Sequence, residues 1–355
     1  MRRRWLALLL ALAPARAPAW PVEARLAAGG FAGIVLYGDA AGPPRVAATG
    51  RFTTGQRWRW ASVTKQLTAL LVMQEVAAGR LALDRPVKAY WPGWPSIYAD
   101  AITIRMLLQH RSGLADPAAT PPGSDGVPAF YRRQGRAAAP PRTATGFCAE
   151  RPRAVPGSGF HYNNCDYIVL GALLEHVTGK PFARLVDERI RRPLGLASLG
   201  LFAPDRPAVA HVTGTVRGRR EPRLNLGSYG GAGSAYGSPR DLWTFEAALL
   251  GHRLLDPVMT AAMWAGDPAL GDQALGAWSY GAPLKGCAGD TALVERQGEI
   301  EGVQLRVFLA PARNRILLAF ANRSGKDMDF GQVRQGRGLA YDLLSAAFCG
   351  QGAAP

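Results

Sequence analysis

Residues 60–79 read Trp-Ala-Ser-Val-Thr-Lys-Gln-Leu-Thr-Ala-Leu-Leu-Val-Met-Gln-Glu-Val-Ala-Ala-Gly. Val63, Leu67, Leu70, Leu71 and Val76 recur at helical spacing and Gly79 supplies a stop, which predicts a helix beginning at Val63. Ser62 and Lys65 fall one helical turn apart, so the amine can reach the hydroxyl. The N-terminal end of a helix also adds positive potential where negative charge would develop. A Ser hydroxyl is a weak nucleophile at neutral pH and needs such a neighbouring base. Taken alone, S-x-x-K equally describes a capping Ser beside a solvated Lys. The chain has five Lys (Lys65, Lys88, Lys180, Lys285 and Lys326), and only Lys65 follows a Ser at this spacing.

Upstream of this helix, 31–39 and 44–52 read as two strands around a Gly-Pro-Pro turn. Downstream, Val87 to Leu114 gives short segments broken by Pro. Residues 115–159 form a Pro/Gly/Ala/Arg stretch too poor in apolar residues for regular core elements, expected either as a wall or lid over a cleft or as a disordered surface loop. Helical periodicity returns at Tyr167–Val177, Phe182–Arg191 and Pro239–Leu250. Strand patterns follow at 275–283, 292–298, 303–311 and 314–322, with a hairpin at Pro311-Ala312-Arg313-Asn314 and a closing amphipathic helix near 330–348. Strands at both ends with helices between predict an α+β fold. Its antiparallel sheet is built from both termini and flanked by helices, with a mostly helical insertion.

The chain has 355 residues, 48% apolar and 19% charged, which fits a folded protein and excludes an intrinsically disordered one. Its 42 Lys plus Arg against 26 Asp plus Glu give a net charge of +16, which first suggests a nucleic-acid binder. The Arg are dispersed, however, with dense groups only at Arg132, Arg133, Arg136, Arg142 and at Arg217, Arg219, Arg220. Arg2–Arg4, the apolar run Trp5 to Ala13 and Ala17-Pro18-Ala19 read as a signal peptide over 1–19, cleaved after Ala19, with 20–355 as one domain. The sheet portion is expected at about 20–60 and 225–355, and the helical portion at about 61–224. An apolar run this short cannot span a bilayer, and no later stretch does. Export to the periplasm or beyond argues against nucleic acid and leaves anionic envelope material as a candidate partner. The plainer account is an Arg-rich composition that keeps the surface soluble. Four cysteines in an exported chain predict two disulfides from three possible pairings. Cys148–Cys165 with Cys287–Cys349 is the expected one, an unpaired Cys165 the alternative. None has the close Cys/His spacing of a zinc site, and neither metal nor cofactor is expected.

Residues 60–92, together with Leu107-Leu108-Gln109-His110-Arg111-Ser112-Gly113-Leu114, resemble the serine β-lactamase and penicillin-binding protein superfamily, closest to its class C, DD-peptidase and esterase branch. The resemblance continues through Pro156–Asn164, Leu170-Gly171, Gly230–Ser234, Ser238–Leu242 and Arg296-Gln297-Gly298 to Gly302. It implies that Ser62 is acylated, that Lys65 exchanges its proton, and that Tyr162 of the Tyr-x-Asn motif serves as general base. Asn164 would orient the substrate amide and hydrogen-bond Lys65, and the Ser62 and Glu299 amides would form the oxyanion hole. His110 is implied to be structural, and Asp84 and Asp241 read as cap or salt-bridge residues. Arg296-Gln297-Gly298 departs from the usual Lys-Thr-Gly or His-x-Gly. Arg cannot shuttle protons, but it can clamp a carboxylate or depress the pKa of a nearby Lys65 or Tyr162; Arg296 is expected to clamp a substrate carboxylate, with Gly298 leaving the strand bare for substrate. The resemblance thus implies an exported serine hydrolase of D-Ala-type peptides or small carboxylate-bearing esters. A β-lactamase, or an inactive penicillin-binding sensor, is the alternative.

Overall fold

A computed structural model describes residues 21–28, 30–150 and 152–350. The expected signal peptide lies outside these residues. Helix α1 (Pro21–Ala28) leads into β1 (Gly33–Asp39) and β2 (Arg45–Ala48). Helix α2 (Thr64–Ala77) follows, then α3 (Cys165–Thr178) and α4 (Pro239–Leu250). The chain closes with β3 (Trp278–Ala282), β4 (Thr291–Ile300), β5 (Val303–Ala310), β6 (Arg315–Ala321) and α5 (Leu339–Cys349). The six strands form one antiparallel sheet in the order β2-β1-β6-β5-β4-β3. Both chain ends therefore meet in its centre, as the sequence predicts, with Gly33 opposite Ala321.

The period-two alternation of the central strands divides two cores. Ile34, Leu36, Val307, Leu309, Leu318 and Phe320 face one side, where Leu67, Leu70, Leu71 and Val169 cover them. Val35, Tyr37, Phe308, Leu317 and Ala319 face the other, covered by Val22 and Leu26 of α1 and Leu343, Leu344 and Phe348 of α5. Because both faces are covered, the strands read as continuous apolar runs. Helix α1 has no sequence expectation behind it; its apolar pair at Val22 and Leu26 is too short a signal to read.

Residues 115–159 differ from their expectation. They form short helical turns at Pro117–Ala119, Ala129–Arg132, Gly135–Ala138, Pro140–Thr145 and Phe147–Glu150. The segment buries Val127, Phe130, Tyr131, Ala144 and Cys148, so a few aromatics and small residues suffice to anchor a chain of low average hydrophobicity. The segment is tied to the first residue of α3 by Cys148–Cys165, and Cys287–Cys349 fastens the end of α5. Their sequence separations are 17 and 62 residues, so loop-closure entropy makes the second the larger stabiliser, about 4 against about 3 kcal/mol. Urea unfolding of Cys287→Ser/Cys349→Ser is expected to show that loss with the sheet intact. An unchanged midpoint would mean that α5 is held by packing alone.

Candidate active site

The turn that presents Ser62 is set by the residue before it. Ala61 is fully buried and adopts a left-handed φ of 49° despite its Cβ, at a cost of about 1 kcal/mol. Its surroundings hold it there. Trp60 N donates to Ala235 O at 2.7 Å, and Thr64 Oγ1 donates to Ala61 O at 2.6 Å. Strand β4 presses on the same turn, where a Cβ on Gly298 would meet Trp60 O at 2.6 Å. Glycine is therefore required at 298 by an internal contact, where the sequence suggested room for substrate.

Lys65 is completely buried. Its Nζ donates to Ser62 Oγ at 3.0 Å, to Asn164 Oδ1 at 2.8 Å and to Ala232 O at 2.8 Å. An ammonium has three donors, and all three are used. Burial, assisted by Arg296 and opposed by Tyr162, lowers the Lys65 pKa to about 8. The side chain therefore stays largely protonated at neutral pH.

Tyr162 Oη is hydrogen-bonded to Ser62 Oγ at 2.8 Å and accepts from Arg296 Nη2 at 2.8 Å. Lys65 Nζ lies 4.9 Å from its ring centroid. Burial pushes the phenol up, but the Arg296 and Lys65 charges outweigh it and bring the pKa down to about 8. Beneath the ring sits His110, with centroids 4.4 Å apart. His110 is fully buried, and burial together with the Lys65 and Arg296 charges holds it well below the usual imidazole range, hence neutral. Its Nδ1 lies 3.0 Å from Asp166 Oδ2, and Asp166 also accepts from Asn163 Nδ2 at 2.9 Å and from Ser112 Oγ. This supports the structural role given to His110.

Arg296 corrects the sequence reading. Only 1% exposed, it donates from Nε to Ser62 O at 2.9 Å and from Nη2 to Tyr162, with its guanidinium 5.0 Å from the Trp278 ring centroid. Two of its three nitrogens are engaged and Nη1 is buried, so no fork is open for a bidentate carboxylate. The guanidinium is a fixed cation beside Tyr162.

Asn164 reaches Lys65 as expected, but its Nδ2 donates to Tyr131 Oη at 2.7 Å. Tyr131 stacks on Tyr229, with centroids 4.0 Å apart. Sequence reasoning missed both tyrosines; the Phe130-Tyr131 pair within an otherwise small-residue segment is the signal that could have found one of them. Glu299 follows Gly298 on β4, and its side chain turns away to accept from Gly325 N at 2.7 Å. Asp84 and Asp241 lie outside the cluster. Asp84 pairs with Arg105 at 2.6 Å, and Asp241 accepts from Ser198 N, Ser198 Oγ and Leu199 N. Among the described residues no group of His, Cys, Asp and Glu could hold a metal ion, and no helix is long and apolar enough to cross a membrane.

A serine, a lysine one turn on and a tyrosine brought in from a second segment define a serine-centred site between a sheet edge and a helical layer. The chain belongs to the beta-lactamase family, which matches residues 22–341. It is 33% identical to esterase EstB of Burkholderia gladioli over 51% of this chain and 48% of that protein. It is 28% identical to the D-alanyl-D-alanine-carboxypeptidase/endopeptidase AmpH of Escherichia coli over 52% of this chain and 46% of the relative. The chain spans about half the length of the curated relatives it matches. A D-stereospecific amidohydrolase from Streptomyces sp. superimposes with a TM-score of 0.73 at 24% identity, over 94% of this chain and 98% of that one, which shows a shared fold.

Proposed function

We propose that the protein is an exported serine hydrolase, residues 20–355 forming one catalytic domain, that cleaves amide or ester bonds through an acyl-Ser62 intermediate. The observation that carries this reading is the convergence of Lys65 and Tyr162 on Ser62 Oγ, at 3.0 and 2.8 Å. With all three Lys65 protons committed, Tyr162 is the group able to take the Ser62 proton. Its phenolate is held by Arg296 and Lys65 together. Ser62 Oγ attacks the carbonyl carbon, and the oxyanion rests on the Ser62 and Glu299 backbone N–H groups. Tyr162 returns the proton to the leaving amine or alcohol, and water, activated the same way, releases the acid. EstB and AmpH carry esterase and D-alanyl-D-alanine-carboxypeptidase names, which support D-Ala-type peptides and short esters as substrate classes. The two disulfides favour an oxidising compartment. A panel of D-Ala-D-Ala peptides, short acyl esters and nitrocefin tests the assignment. Turnover of peptides or esters well above nitrocefin is expected; the reverse order would make the protein a β-lactamase.

The mechanism also fixes a pH dependence. A base must be deprotonated, so kcat/KM should rise with pH as the coupled Tyr162–Lys65 pair titrates near 8, and fall once Lys65 loses its charge. Arg296→Gln removes the cation that lowers Tyr162 and should move the rising limb to higher pH. An unmoved limb would remove Tyr162 from the role of base.

A further inference from the structure

A second concentration of charge lies at a cavity outside the serine-centred site. A cavity of about 790 Å³ is lined by Arg59, Arg132, Arg206, Arg220 and Arg223, with Glu221 the one acid among its lining residues. None of Ser62, Lys65 and Tyr162 lines it. The two dense arginine groups of the sequence, far apart along the chain, thus each give a member to one wall system. Arg59 is 2% exposed and pairs with Glu221, which leaves its Nε buried and unpartnered among the described residues. Arg206, Arg220 and Arg223 are exposed at the mouth, and none of the ion pairs among the described residues involves them. Cations gathered around a concave surface with a low-dielectric floor raise the local concentration of anions.

The geometry points to a binding site for a small polyanion bearing two or more carboxylate or phosphate groups. The volume suits a compact organic molecule and excludes a duplex or an extended chain. Arg206, Arg220 and Arg223 supply the contacts, where planar, forked donors match carboxylate and phosphate oxygens in pairs, while Arg59, tied to Glu221, adds its charge from within the wall. The site borders the catalytic cluster by two routes. Arg59 stands three residues before Ser62, and Asn225 N, on the cavity wall, donates to Tyr131 O at 2.8 Å. The ligand is either the anionic portion of the substrate or a free anion.

Calorimetric titration of the full chain with citrate and with pyrophosphate tests the site. One-to-one binding is expected, weakened tenfold or more in Arg220→Gln/Arg223→Gln, whose substitutions lie on exposed backbone and leave near-ultraviolet dichroism unchanged. A surface control, Arg313→Gln/Arg337→Gln, removes equal charge elsewhere and should bind as wild type. No binding, or equal weakening by the control, overturns the proposal. Calorimetry does not depend on Ser62 chemistry, so its outcome is separate from the hydrolase assignment. A second arm compares monoacid and neutral aryl esters of equal chain length. If KM rises in the mouth variant for the acid ester alone, the anion is substrate-borne; if only citrate binding falls, it is a free ligand.

Discussion

Ser62→Ala is expected to lower kcat/KM toward every hydrolysed ester or amide by roughly four orders of magnitude or more, and to abolish the covalent adduct seen by intact mass with a fluorophosphonate or a penicillin. The residual rate would be that of binding and oxyanion contacts alone. Ser62, Lys65 and Tyr162 share hydrogen bonds around one hydroxyl, and on the proposed mechanism they act as a unit. Ser62→Ala/Tyr162→Phe should therefore be scarcely worse than Ser62→Ala, since the second change removes a base with nothing left to deprotonate. Retention of activity within tenfold of wild type by Ser62→Ala would end the acyl-enzyme reading. Multiplicative losses would mean that Tyr162 acts apart from Ser62.

The second large effect concerns stability. Glu246 on α4 is fully buried and faces Gln66 on α2, whose Nε2 donates to Glu246 Oε2 at 3.4 Å. Both remaining oxygens, Glu246 Oε1 and Gln66 Oε1, lack a donor among the described residues. One proton on Glu246 satisfies the two at once, closing an acid–amide pair. Burial raises the Glu246 pKa to about 8, against 4.5 as its ordinary value. The folded state thus prefers the protonated acid. Its contribution is complete below pH 4.5 and is lost as pH rises to about 8, on the order of 5 kcal/mol in full. Glu246→Gln keeps the shape and cannot ionise. Urea unfolding should find it near wild type at pH 5 and several kcal/mol more stable at pH 9. Parallel stabilities at the two pH values would show Glu246 to be paired or hydrated.

Much of this site is legible before the fold is known. Ser62 and Lys65 are local, one turn apart on a helix whose periodicity is plain, and Tyr162-x-Asn164 is a short motif unique in the chain. The sheet strands are equally plain, because burial on both faces writes itself as unbroken apolar runs. What resists reading is tertiary. The orientation of Arg296 depends on Trp278 of the neighbouring strand β3, which lies opposite Glu295 and is distant in sequence. Tyr131 reaches Asn164 from a segment whose composition conceals its few anchors. The need for glycine at 298 arises from a contact with a turn in another part of the chain. The acid–amide pair of Glu246 and Gln66 joins two helices that carry no mutual signal in sequence.

The pairing of β1 with β6 has a consequence for the order of events during synthesis. A growing chain completes Ser62 and Lys65 early, yet Ala232 and Arg296, which hold that pair and its tyrosine, emerge late, and β1 acquires its central neighbour later still. Closing so long a loop is entropically costly and kinetically slow. Until Ala235 and β4 dock, the strained Ala61 turn has little to hold it. On the proposed mechanism the Ser62 hydroxyl is therefore armed only once segments made late in synthesis have docked, and a chain stalled before Arg296 is expected to be inert.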